Sequence, residues 1–584
     1  MERFSRNDMP PQIAKIVFSL QVVSSLLTYG EIHGECIRPI MVAIAPCAND
    51  LRRCLALYSC LLGLACEVVA SDWPQYRGPT TDGISPDLIS VSWPTNGLAV
   101  LWTNMSLTNG FSTFAVSQGR AFVLMSKNDS SGTLRDYCVA VDAATGASIW
   151  ETVIGDEPWN PSSTGDGGAG TAPYWMGDGP RTTPAVKDGR VAAMVGQFYG
   201  EFHLVCMNVT NGSVLWSNEL ASAYGASTIA WDNAASPCLD NDLIFVNLNS
   251  STNNQNLVAF SIVDGSMVWS SQNENVTHAT PVVATIQGVR QVVFPTRTGL
   301  VSLDRTTGTF LWKFTYPFTP IDTSMGASPV VYSNMVYCTA AYGRGAAAAQ
   351  ITLTNSTWAA TQLWYSNSSA GLNYRSIWMS PVCYQGFIYT LCGENSTFLT
   401  TPLNCIELST GNLQWATNNF GMGGLILVNT NLLVLTEDGQ LVLVQPDPGG
   451  YSELARYRAF QFSASSPGKC WIHPSFSNGR IYAHSTGGGI CLDVSVPPPL
   501  TLLAPQFLSS TQLALTLRNS DGTPIDVNRL PKIEVRATNT LGAPASTWPI
   551  LTNQLVLTAD GRARLTNTIS AGQSRQFYRA IMIP

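Results

Sequence analysis

Five times along this chain an apolar run gives way to a polar residue, a Thr-Gly or Asn-Gly style turn, an apolar pair and a Trp. The copies are Val139–Trp150, Met207–Trp216, Phe260–Trp269, Ser302–Trp312 and Ile406–Trp415. Each predicts a β-hairpin. Gly146, Gly212, Gly265, Gly308 and Gly411 supply the positive φ of a tight turn, beside an Asp, Asn or Thr that can bond its own backbone. The Trp one strand later has a flat side chain suited to packing between neighbouring sheets. A second marker opens most units: Thr183-Pro184, Ser236-Pro237, Thr280-Pro281, Ser328-Pro329, Ser380-Pro381 and His473-Pro474. Proline is tolerated at the first residue of a strand, where its missing N–H breaks no ladder bond. A repeat of roughly 40–55 residues with Gly and an aromatic at set places predicts the blades of a propeller.

Trp102, Trp150, Trp216, Trp269, Trp312, Trp364 and Trp415 lie 48, 66, 53, 43, 52 and 51 residues apart. The long spacing reflects an insertion at 155–180, whose Gly165–Gly170 run reads as a flexible loop because no helix follows it to cradle a phosphate. After Trp415 come one unit at 424–460 and a three-stranded one at 473–494. Leu98–Trp102 has no unit of its own, so it is expected to complete the last blade and remove a pair of sheet edges. The expectation is an all-β, eight-bladed propeller over 71–496, closed by an N-terminal strand. After the Pro497–Pro499 linker, a small β-sandwich-like domain is expected at 500–584.

Composition narrows the function classes. Charged residues make up 12% of the 584, and the net charge is −7, so no basic surface invites nucleic acid. Residues 1–70 read as a leader: Arg52-Arg53, a 13-residue apolar core from Cys54 to Cys66, and a small-residue site for cleavage after Ala70. Translation starting at Met41 would make this an ordinary export signal; lipidation at Cys66 is the rival. Five of the 14 Cys lie in the leader, and the remaining nine sit mostly in apolar strands as small buried hydrophobes. One disulfide among Cys383, Cys392 and Cys405 would be open to a chain in an oxidising compartment. After the leader no run of 18 apolar residues occurs, so the mature chain is expected to be exported to the periplasm, envelope or medium, without a membrane span and as a monomer.

Several segments together resemble the bacterial proteins with pyrroloquinoline-quinone-like (PQQ-like) propeller repeats. These are Asp72–Pro79, Gly179–Pro184, Tyr342–Gly345, Leu435–Leu441 and Trp471–Pro474, besides the Thr-Gly…Trp phrases, and they span 71–495. The resemblance implies a fold shared with quinoprotein alcohol dehydrogenases and with the barrel-assembly lipoprotein of the outer membrane. The dehydrogenases hold their quinone with Ca²⁺, acidic and amide ligands, and a disulfide between adjacent cysteines. This chain has no Cys-Cys pair and no Cys-x-x-Cys-His haem motif. We therefore expect neither PQQ, Ca²⁺ nor haem as a cofactor.

Linear catalytic motifs are missing too: there is no His-Glu-x-x-His, Gly-x-Ser-x-Gly, Walker loop or EF-hand. The four His beyond the leader, His203, His278, His473 and His484, are too scattered to predict a metal site. Topology is more useful. In an up-and-down blade the loop leading into the first strand and the loop joining the second to the third share one face, opposite the Thr-Gly turns. Lead-in loops place Arg181, His278, Asp322, Trp471 and His473 there; second-to-third loops place Tyr199, Arg297, Tyr342, Arg344, Glu394, Glu437 and Asp438. Solvated loop residues are one reading of this set. The other is a mixed-charge site for a polar ligand or peptide, built on Arg181, His278, Asp322, Tyr342, Arg344, Trp471 and His473. The expected role is a non-catalytic propeller that binds a protein or envelope component. A quinoprotein oxidoreductase, or a hydrolase or lyase using Asp322, His278 or His473, is the alternative.

Overall fold

The computed structural model describes residues 72–94, 97–156, 179–196, 201–229, 232–250, 255–321, 323–366, 374–394, 401–462, 468–539, 544–569 and 576–582. The leader, the insertion with Gly165–Gly170, Tyr199 and Asp322 lie outside these residues.

Among the described residues eight sheets follow one another, seven of four antiparallel strands and one, blade 7, with a short fifth strand at its inner edge. Blade 1 runs from Ala115–Ser117 to Ser148–Asp156, blade 2 from Ala185–Lys187 to Val214–Glu219, and blade 3 from Cys238–Asp240 to Met267–Ser271. Blade 4 spans Val282–Ile286 to Phe310–Thr315, blade 5 Val330–Tyr332 to Thr357–Ser366, and blade 6 Val382–Tyr384 to Leu413–Thr417. Blade 7 covers Gly424–Val428 to Ser452–Arg458. Blade 8 takes three strands from Ser475 to Asp493 and its fourth, Ala99–Asn104, from the front of the chain. Trp102 there pairs with Cys491, as the spare strand at 98–102 predicts. Buried apolar clusters join each blade to the next, and one cluster spans blades 7, 8 and 1, so the ring closes.

The recurring phrase has a mechanical reading. Just before the Trp, the outer strand carries a β-bulge: the register shifts between Val100 and Trp102, Val214 and Trp216, and at the same place before Trp150, Trp269, Trp312, Trp364 and Trp415. A bulge re-aims the next side chain. The ring thereby turns onto the following blade, where Trp150 Nε1 donates to Val209 O (3.1 Å), Trp216 to Ile262 O (3.0 Å) and Trp364 to Leu408 O (2.7 Å). Beneath it lies the turn glycine. A Cβ on Gly212 would stand 2.6 Å from the Trp150 ring, and Gly146, Gly265, Gly308 and Gly411 meet Trp102, Trp216, Trp269 and Trp364 in the same way. Trp312 has no such glycine ahead of it and donates instead to Gln291 Oε1 at 2.8 Å.

Each Ser/Thr-Pro marker also does more than start a strand. In four of them the hydroxyl accepts from the backbone N–H at the corresponding place one blade earlier: Thr113 N to Thr183 Oγ1, Thr183 N to Ser236 Oγ, Ser236 N to Thr280 Oγ1 and Ser328 N to Ser380 Oγ (2.8–3.2 Å). Ser328 Oγ instead donates to Thr280 O at 2.9 Å. The result is a belt of side-chain bonds between blades around the axis.

Beyond the ring, a five-stranded sheet including Gln512–Asn519 and Ala563–Thr568 and a two-stranded sheet of Ile533–Thr538 with Phe577–Met582 share a core of Leu513, Leu515, Leu517, Val535 and Leu565. The linker is tied to it: Pro498 O and Pro499 O accept from Arg529 Nη2 and Ser520 N, each at 2.8 Å. All nine cysteines after the leader are free and buried, so the disulfide open to Cys383, Cys392 and Cys405 is not formed. Desolvation pushes their thiols well above the usual range, to about 12 at Cys383 and Cys392 and about 11 at Cys405.

Candidate functional site

The ring axis is not open. Residues 72–87 thread through it and bond the innermost strands of nearly every blade. Trp73 exchanges backbone bonds with Val116 of blade 1 (2.8 and 2.7 Å), and Val186 N of blade 2 donates to Pro74 O (2.8 Å). Gln75 clasps Leu239 of blade 3 through both amide atoms, and Thr81 Oγ1 accepts from Val283 N of blade 4. Arg77 Nη2 donates to Pro381 O of blade 6, Ile84-Ser85 adds a short parallel strand to blade 7, and Asp87 Oδ2 accepts from Asn478 N of blade 8. The Asp72–Pro79 motif is therefore the hub of the wheel. Periodicity gives no hint of this, since each bond joins residues far apart in the chain.

His473 belongs to that hub. It fills the Ser/Thr place of the belt in blade 8, reaching past the Gly423-Gly424 lead-in of blade 7 to Ser380 O at 3.4 Å. Gly424 has no room for a side chain, because a Cβ would meet Ile472 O at 2.4 Å. The imidazole is 5% exposed and packs edge-on against Tyr76, centroids 5.5 Å apart. Burial, reinforced by the Arg77 charge, pushes its pKa down to about 3. His473 thus lies beneath the loop face. His484 is likewise internal, with Nδ1 and Nε2 at 2.8 and 2.9 Å from Ser112 O and Leu107 O, and burial lowers its pKa.

On the loop face the structure assembles a row of half-buried rings. Phe111 stacks on Trp471 (5.4 Å, 22° between planes), and Trp471 meets Trp378 at 4.7 Å. Arg181 lies over Phe111 at 6.0 Å and Lys469 Nζ over Trp471 at 3.7 Å, both within reach of the ring quadrupole. Glu437 anchors the row, accepting from Trp471 Nε1 (2.9 Å) and Met422 N (3.1 Å), while Trp378 Nε1 donates to Met422 O (3.1 Å). Of the expected residues, Arg181, Trp471 and Glu437 come together here. Phe111, Trp378 and Lys469 carry no signal in the sequence, because single loop residues follow no periodicity.

A second group stands between blades 5 and 6. Glu394 pairs with Arg375 (2.9 Å) and accepts from Gly343 N (2.9 Å), holding the Tyr342–Arg344 turn. Tyr342 sits at φ 56° with 39% of its surface exposed, and desolvation raises its pKa. Arg344 contributes its carbonyl to Tyr365 OH at 3.0 Å. His278, half-buried, stands in the lead-in of blade 4, four blades away from Trp471 around the ring. Among the described residues no cluster of three or more His, Cys, Asp or Glu could hold a metal ion, and no helix is long and apolar enough to cross a membrane.

Residues 135–379 match the family described as outer membrane protein assembly factor BamB, a PQQ-like repeat family, as the resemblance in the sequence implies. No curated protein matches the chain at a significant level. Among solved structures, BamB from Moraxella catarrhalis is similar over 68% of this chain and 97% of its own, with 14% identity and a TM-score of 0.42. The quinohemoprotein alcohol dehydrogenase from Comamonas testosteroni is similar over 74% and 82%, with 14% identity and a TM-score of 0.49. A europium-containing methanol dehydrogenase follows at 72% and 90%, 12% identity and 0.39. Likenesses this distant say nothing about activity.

Proposed function

From a PQQ-like propeller related to BamB over residues 135–379, we propose an exported, non-catalytic scaffold that binds a protein or envelope component through its loop face. The observation that carries this reading is the filled axis. Trp73, Gln75 and Arg77 are buried there and bonded to the inner strands, so a planar quinone on the axis would need space the chain itself occupies. The residues around it do not fit a quinone with its metal, and we derive no redox step. What is left for recognition is the surface beside the axis. Its Phe111, Trp471 and Trp378 rings offer rigid apolar area, while Arg181, Lys469 and Arg344 offer charge. Aromatic and Arg anchors of this kind dominate binding surfaces.

The test is cross-linking of the mature chain to fractionated envelope material. The wild type is compared with the Trp471→Ala and Arg181→Ala/Arg344→Ala variants, and with a variant of the opposite face, Thr145→Ala. Loss of the same adduct in both loop-face variants, with Thr145→Ala unaffected, is expected. Adducts that ignore the loop face would overturn the proposal. Dye-linked alcohol oxidation after adding quinone and Ca²⁺ would replace it with the oxidoreductase reading.

A further inference from the structure

Arg77 is the one residue of the axial segment whose chemistry the fold leaves incomplete. Its side chain is 3% exposed. Nε donates to Thr81 O (3.2 Å), and Nη2 donates to Asp82 O (2.6 Å) and Pro381 O (2.7 Å). Nη1 is sealed from solvent and has no hydrogen-bond partner. A guanidinium presents five N–H donors in a fixed fork, so two remain unmet in the interior. Buried polar groups are almost always satisfied.

The charge is as poorly met as the donors. All three acceptors are neutral carbonyls, and no carboxylate among the described residues forms an ion pair with Arg77. Asp82 acts on it only at longer range, its carboxylate being held by Thr80 Oγ1 (2.7 Å) and Ile84 N (3.0 Å). The other titratable groups beside it are Tyr76 and His473. Tyr76 OH shares a hydrogen bond with Ser380 Oγ (3.0 Å), and burial keeps the phenol protonated. His473 is held neutral by burial and by Arg77 itself. Taking an uncompensated charge out of water is among the costliest things a fold can do, and a counter-ion relieves it.

We propose that the propeller axis binds a small anion at Arg77 Nη1, between the axial segment and the belt of blades 6 and 8. The half-buried Tyr76 and the buried His473 stand beside it, so the ligands to test first are the smallest, chloride, bromide and formate. The anion would tie residues 72–87 to the ring they hub. This holds whatever the loop face binds.

Chloride is the probe. The mature chain is melted at constant ionic strength while gluconate, too large to enter, is exchanged for chloride, bromide or formate. A ligand that binds only the folded state raises the melting temperature by mass action, here by about 1–2 °C between 1 and 100 mM. Response to the halides alone assigns a halide site, and response to formate as well assigns a small-carboxylate site. Equal melting in gluconate overturns the proposal. Arg77→Gln should abolish the dependence. Because that variant could fail to fold, bromide-soaked crystals of the wild type give a second measurement: an anomalous peak within contact of Nη1 supports the site, and bromide found only elsewhere sinks it.

Discussion

The two faces of this ring are made from the same eight sheets and obey different rules. On the turn face the bonds that shape each hairpin are local. Asp142 Oδ1 accepts from Ala144 N, Thr145 N and Thr145 Oγ1 at 2.8–3.0 Å, and Asp304 repeats the pattern with Thr306 and Thr307. On the loop face and the axis the decisive bonds are distant: Tyr76 with Ser380, Ser475 with Phe114, His484 with Ser112, Asn478 with Asp87. Local bonds repeat because each blade needs its own hairpin. The hub and seam bonds do not, because the ring has one axis and one seam.

The sharpest way to break this contrast is to remove the distant half. A chain beginning at residue 106 lacks both the axial segment and Ala99–Asn104, the outer strand of blade 8. The exposed edge and the emptied axis should abolish cooperative unfolding, read as loss of a single calorimetric transition. A sharp transition like that of the chain from residue 71 onward would mean that the blades hold each other without hub or seam.

Next come two glycines with nearly the same backbone. Gly212 (φ 72°) lies under Trp150, whereas Gly119 (φ 73°), between the first two strands of blade 1, has nothing within 4 Å of where a Cβ would stand. Gly119→Ala should cost about 1 kcal/mol, the conformational penalty alone. Gly212→Ala adds a clash with an indole that is itself pinned to Val209 O, and should cost about 2–5 kcal/mol. Urea melts of the two variants decide it; equal losses would show that the Trp yields and that only φ matters.

These glycines also show what could be read in advance. The hairpins, the Trp role, the blade order and the seam strand at 98–102 follow from spacing, since a repeated local solution leaves a repeated string. The bulge before each Trp was hidden inside the apolar pair, whose outer members Leu101, Ile149, Leu215 and Val268 turn out exposed because the extra residue faces solvent. The hub was not legible at all. Asp72–Pro79 looks like a short motif without a repeat, and its partners lie up to several hundred residues onward. His473 follows the same logic: its lead-in loop opens on the expected face, but Tyr76 and Arg77 cover the side chain.

That burial gives a smaller and pH-dependent effect. The pKa of His473 is pushed down to about 3 in the fold, against about 6.5 in an unfolded chain. Between these values the unfolded state binds the extra proton, so the contribution is fully present above pH 6.5 and is lost as the pH falls toward 3. His473→Gln should flatten the acid side of the stability profile by up to about 3 kcal/mol between pH 7 and 4. His484, also lowered by burial, is present in both proteins, so the difference reports His473 alone. Parallel profiles would place its imidazole in water and return it to the loop face.

The smallest effect belongs to the loop-face arginines, and its smallness is the point. Arg181 lies over Phe111 as a cation over a ring at 6.0 Å, a contact worth about 0.5–1 kcal/mol at a half-buried site. Arg344 supports the fold through its backbone carbonyl, which accepts from Tyr365 OH and survives truncation of the side chain. Arg181→Ala and Arg344→Ala should each therefore shift stability by less than about 1 kcal/mol, against several for Gly212→Ala. Calorimetry of the two variants tests this without knowing the ligand. A loss as large as that of the turn glycine would mean that these arginines join blades, and the loop face would then be as structural as the face opposite.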